Sequence, residues 1–296
     1  MMESTRTIFA ATMIVILTGS LWGFYWMPVR QIAELGLPGA WGTLAIVGAA
    51  TVVLIPLGWR GRRALLASHP IALISVALGG FAFLLYSVGF IYGRVAIIVI
   101  LFFLTPVWST LIGRYLMGWP ITRFRMLALV IGVAGLGIML SADGKLPFPR
   151  GLGDWLGLTS GFLWAAATVG IRVKATSGPG ETAFLFAAGA FGGGLILAPF
   201  LEPMPAFDTF AAPMQLFVWV AVTGGLWWAL SMAGLMWAAT KLDPARVGIL
   251  LMAEVLIASV TAALIAGEML TMPEIFGGVL VVLAGVFEML PDRAAT

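Results

Sequence analysis

Cysteine is absent from the 296 residues, and histidine occurs once, at His69. Disulfides and thiolate metal centres are therefore excluded, and nucleophile–base catalysis has a single imidazole to draw on. Charge is scarce too: Asp, Glu, Lys and Arg make up 10% of the chain, against about 25% in a soluble domain. Hydrophobic residues reach 61% and mean hydropathy is +1.07, which no water-soluble globule sustains. The apolar runs are long and continuous, where a β-barrel would show short alternating segments, so the fold class is an all-α integral membrane protein. The net charge of +3 belongs to loops facing anionic membrane lipids and is no sign of nucleic-acid binding.

What the chain has in abundance is apolar length. Ten runs read as spans, at about Ile8–Gln31, Trp41–Leu57, Ile71–Gly93, Arg94–Gly118, Arg125–Ser141, Asp154–Lys174, Thr182–Leu201, Met214–Thr240, Pro244–Gly267 and Met272–Leu290. The first has Arg6 ahead of it, as a signal peptide would, but Trp22, Tyr25 and Trp26 stand where a small-residue cleavage site belongs, so it is expected to be retained. A polar, Pro-containing loop divides the chain into a first five-helix unit (1–142), an external connection (143–152) and a second unit (153–296).

Cationic residues orient the spans. With a cytoplasmic N-terminus, that side receives twelve of the sixteen Lys and Arg residues, leaving only Arg30, Arg94, Lys145 and Arg150 outside. Both termini are then cytoplasmic, and the expected location is the cell inner membrane. His69 falls in the Arg60–Pro70 loop as a solvated residue, and the loop's arginines would anchor the chain to anionic lipid.

The two units echo each other. Ser20–Arg30 (SLWGFYWMPVR) aligns with Phe162–Arg172 (FLWAAATVGIR), Pro56 with Pro199, and Gly79-Gly80 with Gly224-Gly225. Phe83 then meets Trp228, Thr105 meets Glu254, and Gly118 meets Gly267. Five spans per unit is an odd number, so the second unit is expected upside down relative to the first, a plan common among secondary transporters. The stripes Gly19-x3-Gly23, Gly153-x3-Gly157-x3-Gly161 and Gly189-x3-Gly193 predict close helix contacts.

Two units with a Trp- and small-residue-rich first helix, and a late helix ending near Gly267-Glu268, resemble the drug/metabolite transporter superfamily. The EamA-type branch, which includes bacterial aromatic amino-acid exporters, is the most similar. Its Pro-then-Gly-Glu pattern is split here, Pro106 with Gly118-Trp119 in one unit and Val255 with Gly267-Glu268 in the other. The resemblance implies ten spans, cytoplasmic termini and export of small metabolites through a central cavity.

Glu254 lies eleven residues after Asp243, about 16 Å along a helix and so near mid-span. An ionisable group at that depth is a functional candidate by its insertion cost. It could be a neutral group that fixes the helix, bind a substrate amino group, or carry a proton. Trp22, Trp164, Trp227 and Trp228 also fall mid-span, as do Phe83 and Tyr86, which share a helical face with Phe90. Singly these read as packing; together they describe an aromatic cavity wall. Pro106 frees the carbonyl of Phe102, as a fixed kink or as a gating hinge. The candidate substrate-binding set is Trp22, Phe83, Tyr86, Thr105, Trp164, Trp228 and Glu254, with Pro106 in gating.

Three functions compete. A transporter of small metabolites accounts for the repeat, the acid and the aromatics, with aromatic or other hydrophobic amino acids as leading substrates, moved by alternating access. Amphipathic cationic drugs are the alternative cargo. Phosphorylated cargo is disfavoured because no span interior offers Lys or Arg. An enzyme lacks the nucleophile and base it would need, and no cofactor or metal is expected. A sensor or scaffold lacks long extramembrane segments. A monomer or weak homodimer is expected.

Overall fold

The computed structural model describes residues 5–118, 123–142, 144, 148–174, 178–206, 210–242 and 244–289. Every described element is a helix: α1 (Thr5–Gly23), α2 (Trp26–Glu34), α3 (Ala40–Arg60), α4 (Arg62–Ala67), α5 (Pro70–Tyr92), α6 (Val95–Phe102), α7 (Thr105–Tyr115), α8 (Arg123–Leu140), α9 (Leu152–Lys174), α10 (Pro179–Leu201), α11 (Pro213–Thr223), a π-helical segment (Gly224–Ser231), α12 (Met232–Ala239), α13 (Pro244–Leu251), α14 (Ala253–Leu264) and α15 (Met272–Met289). Among the described residues, eight helical stretches are long and apolar enough to cross a membrane. The two expected spans outside that group are Met272–Phe287, a shorter apolar helix, and α9, whose 23 residues include Asp154, Arg172 and Lys174. Trp119, Asp143, Lys145, Leu290 and Thr296, on which the sequence reading also drew, lie outside the described residues.

Four of the expected spans are not single α-helices. The first breaks at Phe24-Tyr25, where Pro28 cannot supply the N–H that would reach the Phe24 carbonyl. The Met27 N–H takes that carbonyl instead at 3.1 Å, closing a tighter turn. The fourth breaks at Phe103-Leu104, three residues before the next proline, Pro106. The ninth breaks at Met252 with no proline nearby; 3₁₀-type bonds from Met252 N to Ile249 O and from Val255 N to Met252 O, at 3.2 and 3.1 Å, make the turn. In the eighth, the Gly224–Ser231 segment winds as π-helix between α11 and α12.

The breaks in the fourth and ninth spans share a register. Helix α6 starts at 95 and α13 at 244; they end at 102 and 251; Thr105 and Glu254 follow each break. All three pairs are 149 positions apart, as are Gly118 and Gly267, which both stand at φ +67° past the end of α7 and of α14. That left-handed conformation is one glycine adopts without a Cβ penalty, and it ends each helix.

Packing follows the glycines. Helix α3 lies on α10, α8 on α15, α5 on α9, α6 on α14, and α1 on α12, α13 and α14. A Cβ at Gly161 would stand 2.7 Å from the Phe102 carbonyl oxygen and one at Gly157 3.2 Å from Ile98 Cα, so α9 approaches α6 backbone to backbone. Gly189 meets the Ala77 backbone in the same manner, and Gly23 lies against the Ile257 side chain. With no hydrophobic driving force between helices in lipid, such close dispersion contact is what holds them.

Candidate functional site

Glu254 is the second residue of α14, directly after the Met252 break, and is buried. Its Oε1 accepts a 2.7 Å hydrogen bond from the hydroxyl of Tyr86 on α5. Tyr86 is fully buried, with the Phe90 and Phe102 rings 4.7 and 4.6 Å from its own. A carboxylate offers about four acceptor positions, so one bond from Tyr86 leaves capacity for a ligand.

Beside this pair is a cavity of ≈ 160 Å³, close in size to one that admits a benzene ring, about 150 Å³. Five of the candidate residues line it, Trp22, Phe83, Thr105, Trp164 and Glu254, together with Pro106. So do Thr18, Phe102, Phe103, Met232, Leu235, Met236, Gly248, Leu251 and Met252. Glu254 is the one ionisable group of the lining; the rest is apolar but for two threonine hydroxyls and the Trp edges.

Phe83 is the centre of the aromatic packing. Its ring centroid lies 5.2 Å from Trp22, 5.0 Å from Trp164, and 5.3 Å from both Phe102 and Phe186, all edge-on. Edge-to-face contact places positive ring edges on negative ring faces. Trp228 stands behind this wall and not in it: it is 0% exposed, 5.8 Å from Trp22, and its Nε1 donates to the Tyr25 hydroxyl at 2.8 Å. Tyr25 in turn bonds Ser87, which bonds Thr43, a buried chain across α1–α2, α5, α3 and the π-segment. The π-winding presents Trp227 and Trp228 together; Trp227 Nε1 reaches the Leu21 carbonyl at 2.7 Å, and Trp22 Nε1 donates to Ser231 Oγ at 3.0 Å.

Thr105 and Pro106 open α7. The Thr105 hydroxyl donates to the Phe102 carbonyl at 2.7 Å, the very group that Pro106 leaves without its helical partner. A second contact, 3.3 Å to the Gly161 carbonyl, ties the break to α9. Thr105 thus caps the broken helix while its side chain lines the cavity.

Along α1–α2 and α14, beyond Trp22 and Glu254, the molecule is cross-linked. Trp26 Nε1 donates to Thr261 Oγ1 at 3.0 Å. Arg30 pairs with Glu268 at 2.8 Å, donates to the Phe90 and Gly93 carbonyls at 3.0 Å each, and lies over the Trp26 ring. Arg94 pairs with Glu274 at 2.5 Å. In the other direction, along α1 and α13, lie Thr18, Gly248 and Leu251, which line the cavity.

The lining from Phe102, Phe103, Met232, Met236 and Met252 was not singled out from the sequence, and neither were Tyr25 and the Arg30–Glu268 pair. Phe102 and Phe103 had a signal, since they flank the Thr105-Pro106 break. Tyr25 had one as well, because a buried phenol requires a polar partner. The methionines had none, since a flexible thioether fills gaps anywhere. Among the described residues no group of three or more His, Cys, Asp or Glu could hold a metal ion.

Residues 9–141 match the family model of the EamA-like transporter family. No curated protein matches the chain. A solved structure, described only as the crystal structure of a protein, superposes with a TM-score of 0.57 over 96% of this chain and 96% of its own. At 13% identity that likeness shows a shared fold.

Proposed function

We propose that this chain, whose residues 9–141 match the EamA-like transporter family, is a multi-pass transporter of small ring-bearing metabolites. The observation that carries the reading is the cavity: one carboxyl, a wall of edge-packed aromatics, and two broken helices meeting at it. Aromatic and other hydrophobic amino acids are the leading cargo, with the ring against Phe83, Trp22 and Trp164 and the amino group at Glu254. The second reading, export of amphipathic monocations, is favoured by the lack of any Lys, Arg or His in the lining to receive a carboxylate.

Ten spans in two inverted units are supported by the shared register of the breaks at 102–105 and 251–254 and by the matched glycines at φ +67°. Exchanging the units also maps the packing of α5 on α9 onto that of α12 on α1, and leaves α3 on α10 and α8 on α15 unchanged. Alternating access is supported by the uneven ends: polar cross-links at Trp26, Arg30 and Arg94 shut one side, while the cavity extends along the other. On the orientation read from the cationic residues, the shut side is external and the membrane is the inner one.

Two measurements test this. A reporter fused after Arg63 or Arg125 should read cytoplasmic and one within 143–150 external; an external reading at position 296 would make the span count odd and end the inverted-repeat proposal. Purified protein in liposomes should move ring-bearing amino acids or amphipathic monocations. Trp164→Ala should reduce ring-bearing substrates about fivefold, from about 1 kcal/mol of lost ring contact, and leave aliphatic ones near wild type. Absence of transport across the whole panel would favour a sensor or scaffold.

A further inference from the structure

The cavity beside Glu254 is tight. Its ≈ 160 Å³ is close to that of a cavity that admits one benzene ring, about 150 Å³, so a few side-chain atoms at its edge decide what else fits. The aromatic wall is not the adjustable part. Phe83 is packed edge-on against Trp22, Trp164, Phe102 and Phe186, and the Trp22 indole is bonded to Ser231. Helix α9, which carries Trp164, meets α6 backbone to backbone.

Met252 is different. It forms the break between α13 and α14, two residues before Glu254, and lines the same cavity. Its side chain extends to α15, where Gly285 is buried. A Cβ at Gly285 would collide with the Met252 methyl and stand 3.9 Å from its sulfur. The missing Cβ is therefore a notch, and the methyl occupies it. Gly285 is outside the cavity lining, and its backbone is helical and not left-handed. Alanine is the better helix former at such a position, so what the glycine supplies is room.

A thioether suits this place. It is unbranched and turns about several bonds, so it can follow the space it is given, where a β-branched side chain would be fixed. Met252 lies between the cavity and the α15 backbone, and a methyl expelled from the notch has the cavity to turn into. Pro106 takes the neighbouring space, with its Cγ 3.7 Å from the same Cβ position. Filling the notch displaces only the far end of a flexible side chain, which a folded protein tolerates.

We propose that Met252 sets the size limit of the cavity, and that Gly285 is the positioning residue that holds Met252 back from it. The inference rests on the reading of this cavity as the cargo site, and adds what decides between small and large ring-bearing amines. With the methyl in the notch the cavity has its present volume. With the methyl turned inward it is smaller, and without the side chain it is larger.

The test is equilibrium binding of benzylamine and tryptamine, a small and a large ring-bearing amine, to the purified full-length protein in detergent. Each variant is read as the ratio of tryptamine to benzylamine affinity, which does not depend on the fraction of protein that is folded. Met252→Ala should raise the ratio about tenfold and Gly285→Ala should lower it about tenfold, the low end of what one methylene changes in an apolar pocket. In the Met252→Ala background, Gly285→Ala should leave the ratio where Met252→Ala put it, because no methyl remains to be expelled. A ratio left unmoved by either single substitution, in a protein whose wild type binds the amines, would overturn the size limit and leave the cargo reading standing. A fall on Gly285→Ala that persists without the Met252 side chain would overturn it too, by assigning the glycine to Pro106. Binding of neither amine by the wild type would overturn the cargo reading and this inference with it.

Discussion

Trp228→Ala is expected to lower stability by about 3–5 kcal/mol, the range for deleting a fully buried large aromatic. The side chain is 0% exposed and does not line the cavity. Its ring touches the rings of Trp22 and Phe186 at 5.8 and 5.9 Å, and its indole N–H is bonded to the Tyr25 hydroxyl. Truncation leaves a void behind the aromatic wall and removes one donor from the Tyr25–Ser87–Thr43 chain. Trp164, half-buried at the cavity edge, should behave in the opposite sense, with a small change in melting temperature and a large change in transport. Thermal melting of the two variants in detergent, beside substrate binding, separates the roles. A Trp228→Ala protein that melts like wild type and has lost substrate would move Trp228 into the binding wall.

That contrast marks how far residue order alone reaches. Depth along a span is legible, because apolar length and flanking charge bracket each run, and depth is what drew Trp22, Phe83, Trp164, Trp228 and Glu254 together. Facing is not legible for a helix that is apolar all round, since no polar stripe marks its solvent side. Trp164 and Trp228 look alike in sequence, and only packing makes one a lining residue and the other a buried support. Partners far apart are equally silent: Tyr86 and Glu254 are 168 positions apart, and nothing local to either announces the bond.

Helix breaks divide in the same way. Pro28 and Pro106 each remove a donor at mid-span, and a break stands before each. Pro56 and Pro199 remove one too, yet they ride inside α3 and α10 within the last turns, where few helical bonds remain to be lost. Met252 breaks α13 from α14 without a proline, and α13 ends 149 positions after α6 does at the Phe103-Leu104 break. The spacing of similar segments along the chain, more than local propensity, was the legible signal there, because Thr105 and Glu254 align in the sequence before any geometry is known.

The other large effect is expected at Glu254. Glutamine keeps the length of the side chain and an amide oxygen that can accept from Tyr86, so Glu254→Gln should fold with stability within about 1 kcal/mol of wild type, the scale of one neutral hydrogen bond. What glutamine cannot offer is a negative charge. A hydrogen bond to a charged group contributes about 1.5–3 kcal/mol, so binding of ring-bearing amines should weaken by roughly 10- to 150-fold at 1.4 kcal/mol per tenfold. Neutral ring compounds of the same shape should bind as before, because the aromatic wall is untouched. Tyr86→Phe supplies the complement. It leaves the carboxyl in place without its donor at 2.7 Å, and should retain the discrimination between amines and neutral rings that Glu254→Gln loses. The readout is a binding curve for an amine and its neutral analogue in all three proteins. Equal losses for both ligands in Glu254→Gln would make the carboxyl a support for the helix break at Met252. Unchanged binding together with loss of proton-driven accumulation in liposomes would make it a proton carrier. Selective loss of the amine is the result that follows from a single carboxyl set in a wall that contains no other charge.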